Sequence, residues 1–168
     1  VALGEQSSAS GFLLPLRDLH ERGLINEKVG LEKFFSRTVF TSSYVSAVEK
    51  VLSGEVEAAA VSDYVFLGDD YLDDDQKAKL KIVQEQGPIP SHTICCLLSL
   101  PEEDRQLLKE TLVELNWENP RLRDKALGGE LVVVDPEKHL AAIREALAIK
   151  SKLEQPDSRK ISWKSILT

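Results

Sequence analysis

The 168-residue chain lacks several features by which whole classes of protein are recognised. It has only two cysteines, and no CxxC or Cys/His spacing typical of a metal site. No apolar run approaches the ~20 residues of a membrane-spanning helix. GxSxG and Walker A motifs are absent, and lysine and arginine form no cluster of the size that nucleic acid requires. These absences argue against a metal site, a membrane helix, two large enzyme classes and a nucleic-acid partner.

The side chains that are present offer little for catalysis. His20 and His139 have no partner at a recognisable catalytic spacing, so we predict no enzyme activity, no cofactor and no bound metal. The acidic run from Asp69 to Asp75 lacks the glycine and terminal glutamate of a calcium loop, which favours a solvated surface. Cys95 and Cys96 are adjacent in an apolar run, where a mutual disulfide would be strained, so we expect buried thiols.

Apolar periodicity alternates between strand and helix along the chain, which predicts an α/β fold with a largely parallel sheet. Helices are predicted to begin near Ser10, Ser43, Pro101 and Pro136. Strands are predicted at 1–4, 37–40, 56–61, 81–84, 93–98 and 131–134. Gly87-Pro88-Ile89-Pro90 is the strongest break between them.

The most informative segment is Ser7-Ser8-Ala9-Ser10-Gly11-Phe12, between a predicted strand and a predicted helix. Serine hydroxyls and free N–H groups at a helix start can hold one anion, with the helix dipole behind them. A serine N-cap, which satisfies only the helix's own N–H groups, is the alternative interpretation. The net charge of −7 does not exclude an anion, because such a site acts locally.

An ordered set of motifs resembles the phosphate/phosphite/phosphonate substrate-binding proteins of ABC transporters. Ser8-Ala9-Ser10-Gly11-Phe12 is similar to that family's Ser-Thr-Ser-Gly-Tyr/Phe segment. Val39 to Ser43 resembles the strand and turn before its second helix, and residues 52–61 (LSGEVEAAAV) resemble its Leu-Asn-Gly-x-Val-Asp-Ala-Ala-Ala-Val. Pro88-Ile89-Pro90 falls at the family's crossover, and Val133-Val134-Asp135 precedes its last helix.

The resemblance implies a type II periplasmic-binding-protein fold, with ligand between two lobes. Residues 1–88 would form the second lobe, 89–91 the hinge crossover and 92–153 the C-terminal part of the first lobe, followed by a polar tail at 154–168. The chain begins at Val1 within a predicted strand and shows no signal peptide. We therefore expect a processed or excised piece that lacks the N-terminal half of the first lobe, with apolar surface that favours self-association.

Carried over to this sequence, the family's site implies that Ser8, Ser10 and the backbone at Ala9 and Gly11 hold the anion. Ala9 replaces the family's threonine, so one hydroxyl is missing. Tyr44 occupies the place of a histidine; it is either a hydrogen-bond donor to the anion or a buried helix aromatic.

Phosphonate binders that recognise an amino group have acidic residues near the positions of Tyr64 and His92. Here Asp63 is adjacent to the first, but His92 replaces the second. The resemblance therefore favours phosphite, phosphate or an alkylphosphonate over an aminated ligand, with His92 either a ligand contact or a hinge-surface residue.

The predicted function is binding of a small tetrahedral phosphorus oxyanion for delivery to the permease of an ABC transporter. The expected location, from the resemblance alone, is periplasmic or membrane-anchored outside the cytoplasm. The alternative is a ligand-sensing regulatory domain of the same fold, taken from a larger signalling protein.

Overall fold

A computed structural model describes residues 1–68 and 70–154 of the chain. Two strands pair in parallel, β1 (Ala2–Leu3) and β2 (Val39–Phe40), with Ala2 opposite Val39 and Leu3 opposite Phe40. Ala2 also forms a parallel bridge with Ala59. Three parallel segments are thus held together with β1 in the centre, where both Ala2 and Leu3 are buried.

Helices make up most of the regular structure. A π-helix (Ala9–Leu13) continues into α1, and eight further helices follow. Their bounds in the described residues are α1 (Leu14–Glu21), α2 (Leu31–Phe34), α3 (Tyr44–Leu52), α4 (Asp63–Leu67), α5 (Asp74–Ala78), α6 (Glu102–Glu118), α7 (Pro120–Leu127), α8 (Pro136–His139) and α9 (Ala141–Glu154). The mixture of helices with a small parallel sheet is compatible with the predicted α/β class.

The chain divides into two compact units, residues 1–89 with 141–154 and residues 90–140. The division falls inside the predicted crossover at 89–91. Residues 141–154 join the first unit, because α9 packs against α1 and the π-helix, although the sequence analysis placed 141–153 with 92–140. The assignment of these units to lobes stays a prediction. The predicted tail lies outside the described residues except for Glu154, the last residue of α9.

The core of the first unit consists of three apolar clusters, two of which include a residue of β1. The largest contains Leu3, Phe12, Leu13, Leu16, Ile25 and Ala146, so strand, first helix and last helix share it. A second joins Ala2, Ala47 and Val56, and a third joins Val48, Val65 and Leu72. Both faces of β1 are therefore covered, and the chain leaving it at Gly4 has a fixed position and direction.

Several sequence predictions were wrong. The predicted strands at 81–84, 93–98 and 131–134 have no regular structure. Because a strand needs a neighbour for its backbone hydrogen bonds, apolar composition alone does not make one. Cys95 and Cys96 lie in such a segment and are exposed, which corrects the expectation of buried thiols. The last helix is interrupted at Leu140, between α8 and α9.

Candidate functional site

The serine segment forms a tight loop at the end of β1, which we call the serine loop (residues 5–11). Ser8 is the N-cap of the π-helix, and its Oγ accepts a hydrogen bond from the Gly11 N–H at 3.1 Å. Gly4 N–H donates to Gly11 O at 2.9 Å, which ties the strand end to the helix start. The helix begins at Ala9, so the predicted helix start within one turn of Ser10 is confirmed.

Two glycines allow strand and helix to approach this closely. A Cβ added at Gly11 would lie 2.9 Å from Gly4 Cα and 3.0 Å from Ser8 Oγ. A Cβ at Gly4 would lie 3.1 Å from Gly11 Cα. Any side chain at Gly11 would therefore displace either the strand end or the Ser8 hydroxyl. Gly4 was not among the predicted site residues.

Tyr44 joins the serine loop to the second helix. Its hydroxyl lies 2.9 Å from Ser8 Oγ and 2.7 Å from Ser10 Oγ, and all three groups are partly buried. Tyr44 is the first residue of α3, whose N-cap Ser43 accepts from the Ser46 N–H. Three predicted site residues, Ser8, Ser10 and Tyr44, are thus brought together, 34 and 36 residues apart in sequence.

The N-termini of the π-helix and of α3 lie side by side. The parallel strands β1 and β2 both lead into helices at the same edge of the sheet, and the hydrogen bonds from Tyr44 to the two serines join the two helix starts. Thr41, which is buried, holds this arrangement: its hydroxyl bonds Leu3 O at 3.2 Å and Ser43 O at 3.1 Å. The first N–H groups of a helix have no acceptor within it, and its N-terminus is the positive end of the dipole. The hydroxyls of Ser8, Ser10 and Tyr44 therefore lie in a locally positive region of an acidic protein.

The site extends from Tyr44 toward α4. The Tyr44 and Tyr64 rings contact edge to face, with centroids 5.9 Å apart, and the Tyr64 ring contacts Tyr71 at 5.2 Å. Partial burial, followed by the neighbouring Tyr71 and Tyr44, raises the pKa of Tyr64 above its usual 10.0, so its hydroxyl stays protonated at neutral pH. Tyr71 was not predicted, since no motif marks it.

Asp63 forms no hydrogen bond with these hydroxyls within the described residues. Asp63 is exposed in the first turn of α4, where its Oδ1 accepts from Tyr64 N–H at 2.9 Å and Ser62 Oγ at 3.3 Å. His92 lies exposed in the other unit. Within the described ranges, no group of His, Cys, Asp and Glu is arranged to hold a metal ion, and no helix is long and apolar enough to cross a membrane.

Hydroxyls and helix N-termini after parallel strands are the features of a site for a compact oxyanion. Comparison with known families shows which oxyanion-binding proteins this chain resembles. The family described as "ABC transporter, phosphonate, periplasmic substrate-binding protein" matches residues 1–138. The chain belongs to this family of transporter substrate-binding proteins. Searches of curated proteins and of solved structures gave no match.

Proposed function

We propose that this protein binds a small tetrahedral phosphorus oxyanion, namely a phosphonate, phosphite or phosphate, between two lobes, and delivers it to an ABC transporter permease. The observation that carries the proposal is the joint hydrogen bonding of Ser8 and Ser10 to the Tyr44 hydroxyl at the start of two helices. The family match supports the transport role and a place of action outside the cytoplasm.

The hydroxyls and amides around the serine loop provide the donors. Each serine Oγ and the Tyr44 hydroxyl can turn its proton toward an anion, and the N–H groups of Ala9 and Ser10 occupy the first helical positions, where no intrahelical acceptor is available. The Gly11 N–H already donates to Ser8 Oγ, so it positions that hydroxyl. A compact anion would thus accept several short hydrogen bonds, each worth ~1.5–3 kcal/mol to a charged acceptor.

With Tyr44 in place of a histidine, the proposed anion site has no charged side chain, and its positive potential comes from the helix dipoles. A phenol donates one hydrogen bond without carrying a positive charge, unlike a protonated histidine. Ala9 contributes an amide but no hydroxyl. Without a positively charged side chain, binding would depend on hydrogen-bond geometry and on closure of the two lobes around the anion. Closure would remove water from the side of the ligand that faces away from the serine loop. His92 and Asp63 then remain candidates for contacts made in a closed form.

The test is titration calorimetry of the intact protein against phosphite, phosphate, methylphosphonate and 2-aminoethylphosphonate. At least one should bind, and the Ser8→Ala/Ser10→Ala double variant should weaken it by more than about tenfold, because two hydrogen bonds to a charged group are lost. Tyr44→Phe, which keeps the ring contact with Tyr64, should weaken it by a smaller factor.

Ser53→Ala is the matched control, because Ser53 follows the opposite end of α3 and its hydroxyl donates to Lys50 O at 3.2 Å. Its affinity should equal that of the unmodified protein. The site assignment is wrong if all four anions fail to bind, or if binding is indifferent to both serines.

A further inference from the structure

The three tyrosines of the chain form one continuous row, which we call the tyrosine row (Tyr44, Tyr64 and Tyr71). Its two ring contacts have centroid distances of 5.9 and 5.2 Å and interplanar angles of 73° and 55°. The row begins at the hydroxyl that bonds Ser8 and Ser10. Tyr64 and Tyr71 remain 47% and 46% exposed, so they present aromatic surface beside the serine loop.

Buried neighbours fix the position of both exposed rings. Tyr64 is followed by Val65, which is 1% exposed, and Tyr71 is followed by Leu72, which is 4% exposed. Both buried residues belong to one apolar cluster, which also receives the Tyr44 side chain. The backbone at each ring is therefore anchored in the core, and the aromatic surface is displayed by a rigid support.

The turn between the rings is also held in place. Gly68 N–H donates to Tyr64 O at 2.8 Å, and a Cβ at Gly68 would lie 2.6 Å from that oxygen. Lys77 Nζ donates to Gly68 O at 2.8 Å, which ties the turn to α5. The exposed aromatic pair is therefore held in place by a glycine turn, a lysine and two core residues. Isolated apolar residues on a protein surface need no explanation, whereas a supported aromatic patch is typical of a binding surface.

The two rings are apolar, and each directly follows an exposed aspartate in the sequence, Asp63 before Tyr64 and Asp70 before Tyr71. The Tyr64 and Tyr71 hydroxyls form no hydrogen bond within the described residues. The carboxylate of Asp63 accepts hydrogen bonds from Tyr64 N–H and Ser62 Oγ. Tyrosine rings pack well against hydrocarbon and prefer other aromatic rings edge to face or offset. The paired rings therefore match a planar or branched apolar group.

We propose that Tyr64 and Tyr71 form a subsite for the substituent of the ligand, and that the protein prefers organophosphorus anions with an apolar, planar substituent. The ligand class is an aryl- or bulky alkylphosphonate, or the corresponding phosphate monoester. The tetrahedral head is held at the serine loop and the substituent lies along the tyrosine row. This inference rests on the proposed function.

The experiment compares phenylphosphonate, phenyl phosphate, methylphosphonate, phosphate and 2-aminoethylphosphonate by calorimetry on the intact protein. Phenylphosphonate should bind about tenfold tighter than methylphosphonate, since a ring gains contact with two tyrosines. Tyr71→Ala and Tyr64→Leu should each lower phenylphosphonate affinity severalfold while leaving methylphosphonate within about twofold. Equal effects on phenyl phosphate would extend the preference to monoesters.

Leu67→Ala is the control, because Leu67 is an exposed apolar residue at the end of α4, the helix that carries Tyr64. It should change no affinity, and thermal melting should show that every variant is folded. Equal affinity for methyl- and phenylphosphonate, or tighter binding of 2-aminoethylphosphonate than of phenylphosphonate, overturns the inference alone. Failure of every phosphorus anion to bind the unmodified protein overturns the proposed function itself.

Discussion

Three hydroxyl groups at the serine loop hydrogen-bond to one another, and this decides what each can do. Ser8 Oγ hydrogen-bonds to both the Gly11 N–H and the Tyr44 hydroxyl, while Ser10 Oγ hydrogen-bonds only to Tyr44 among the described residues. Ser8 is therefore the more constrained of the two, and it combines the N-cap role with the proposed binding role. The two interpretations that the sequence left open for this serine are compatible, because a hydroxyl can accept from the helix and donate to an anion.

Gly11 is the residue at which the smallest change should disturb this arrangement. In Gly11→Ala, the new methyl group would meet Gly4 Cα at 2.9 Å and Ser8 Oγ at 3.0 Å. Overpacking of this kind costs typically ~1–3 kcal/mol, so we expect a lower melting temperature together with weaker anion binding. Differential scanning calorimetry and titration on the same preparations measure both effects.

Gly129→Ala is the matched control, because a Cβ there meets nothing within 4 Å. Its melting temperature and anion affinity should match those of the unmodified protein. An unchanged melting temperature in Gly11→Ala would show that the strand end and helix start can separate without cost.

Beyond the C-terminal end of α3, the carboxylate of Glu55 connects that helix to the segment before β2. Glu55 Oε1 accepts from Arg37 Nη2 at 3.0 Å, and Oε2 accepts from Lys50 Nζ at 2.7 Å. The hydrogen bond from Lys50 lowers the pKa of Glu55 below 4.5, and Arg37 adds to this effect. Because the folded protein holds the charged form, the contribution to stability is present above the unfolded pKa and is lost as pH falls through the lower folded value.

Glu55→Gln should therefore lower the melting temperature near neutral pH and have little effect once the pH is well below the lowered pKa of Glu55. The difference should be small and should shrink with added salt, since the ion pairs are solvent-exposed. Glu57→Gln is the control, because no ion pair involves Glu57 in the described part of the chain. A Glu55→Gln effect that persists at acid pH would assign the contribution to packing.

Helix starts were predictable because their signals are local. Ser43 and Asp135 act as N-caps with side-chain hydrogen bonds, and α6 begins directly after Pro101. Strands were less predictable, because pairing depends on residues far away in sequence. The small residues at 58–60 form backbone hydrogen bonds with Ala2 of β1. The apolar segment 93–98 has no strand beside it in the described structure.

The candidate site shows the same difference between residues marked by local sequence motifs and residues placed by tertiary contacts. Ser8, Ser10 and Tyr44 were predicted because they lie in motifs with a recognisable order, and the structure brings their hydroxyls together. Tyr71 and Thr41 were missed because their roles arise from tertiary contacts. Tyr71 reaches Tyr64 only because the chain turns at Gly68, and a single glycine in an acidic stretch does not predict such a turn.

The two units of the molecule differ in how well they cover their apolar side chains. The unit of residues 1–89 with 141–154 contains all three apolar clusters. In the unit 90–140, helix α6 has no buried residue, although it is 17 residues long. Its exposed apolar side chains include Leu107 at 62% and Trp117 at 63%. Val132 and Val133, in the same unit, are also exposed.

Exposed apolar surface of this extent favours association, because covering apolar surface is favourable by ~25 cal/mol for each Å² removed from water. We therefore expect the 168-residue chain to self-associate, with its weight-average mass in light scattering rising with concentration. Leu107→Glu/Trp117→Glu should keep it monomeric, since charges on α6 oppose burial of that helix. Leu67→Glu is the matched control, because Leu67 is equally exposed but belongs to the other unit. A mass that stays monomeric at every concentration in the unmodified chain would contradict the prediction, and so would association unaffected by the α6 charges.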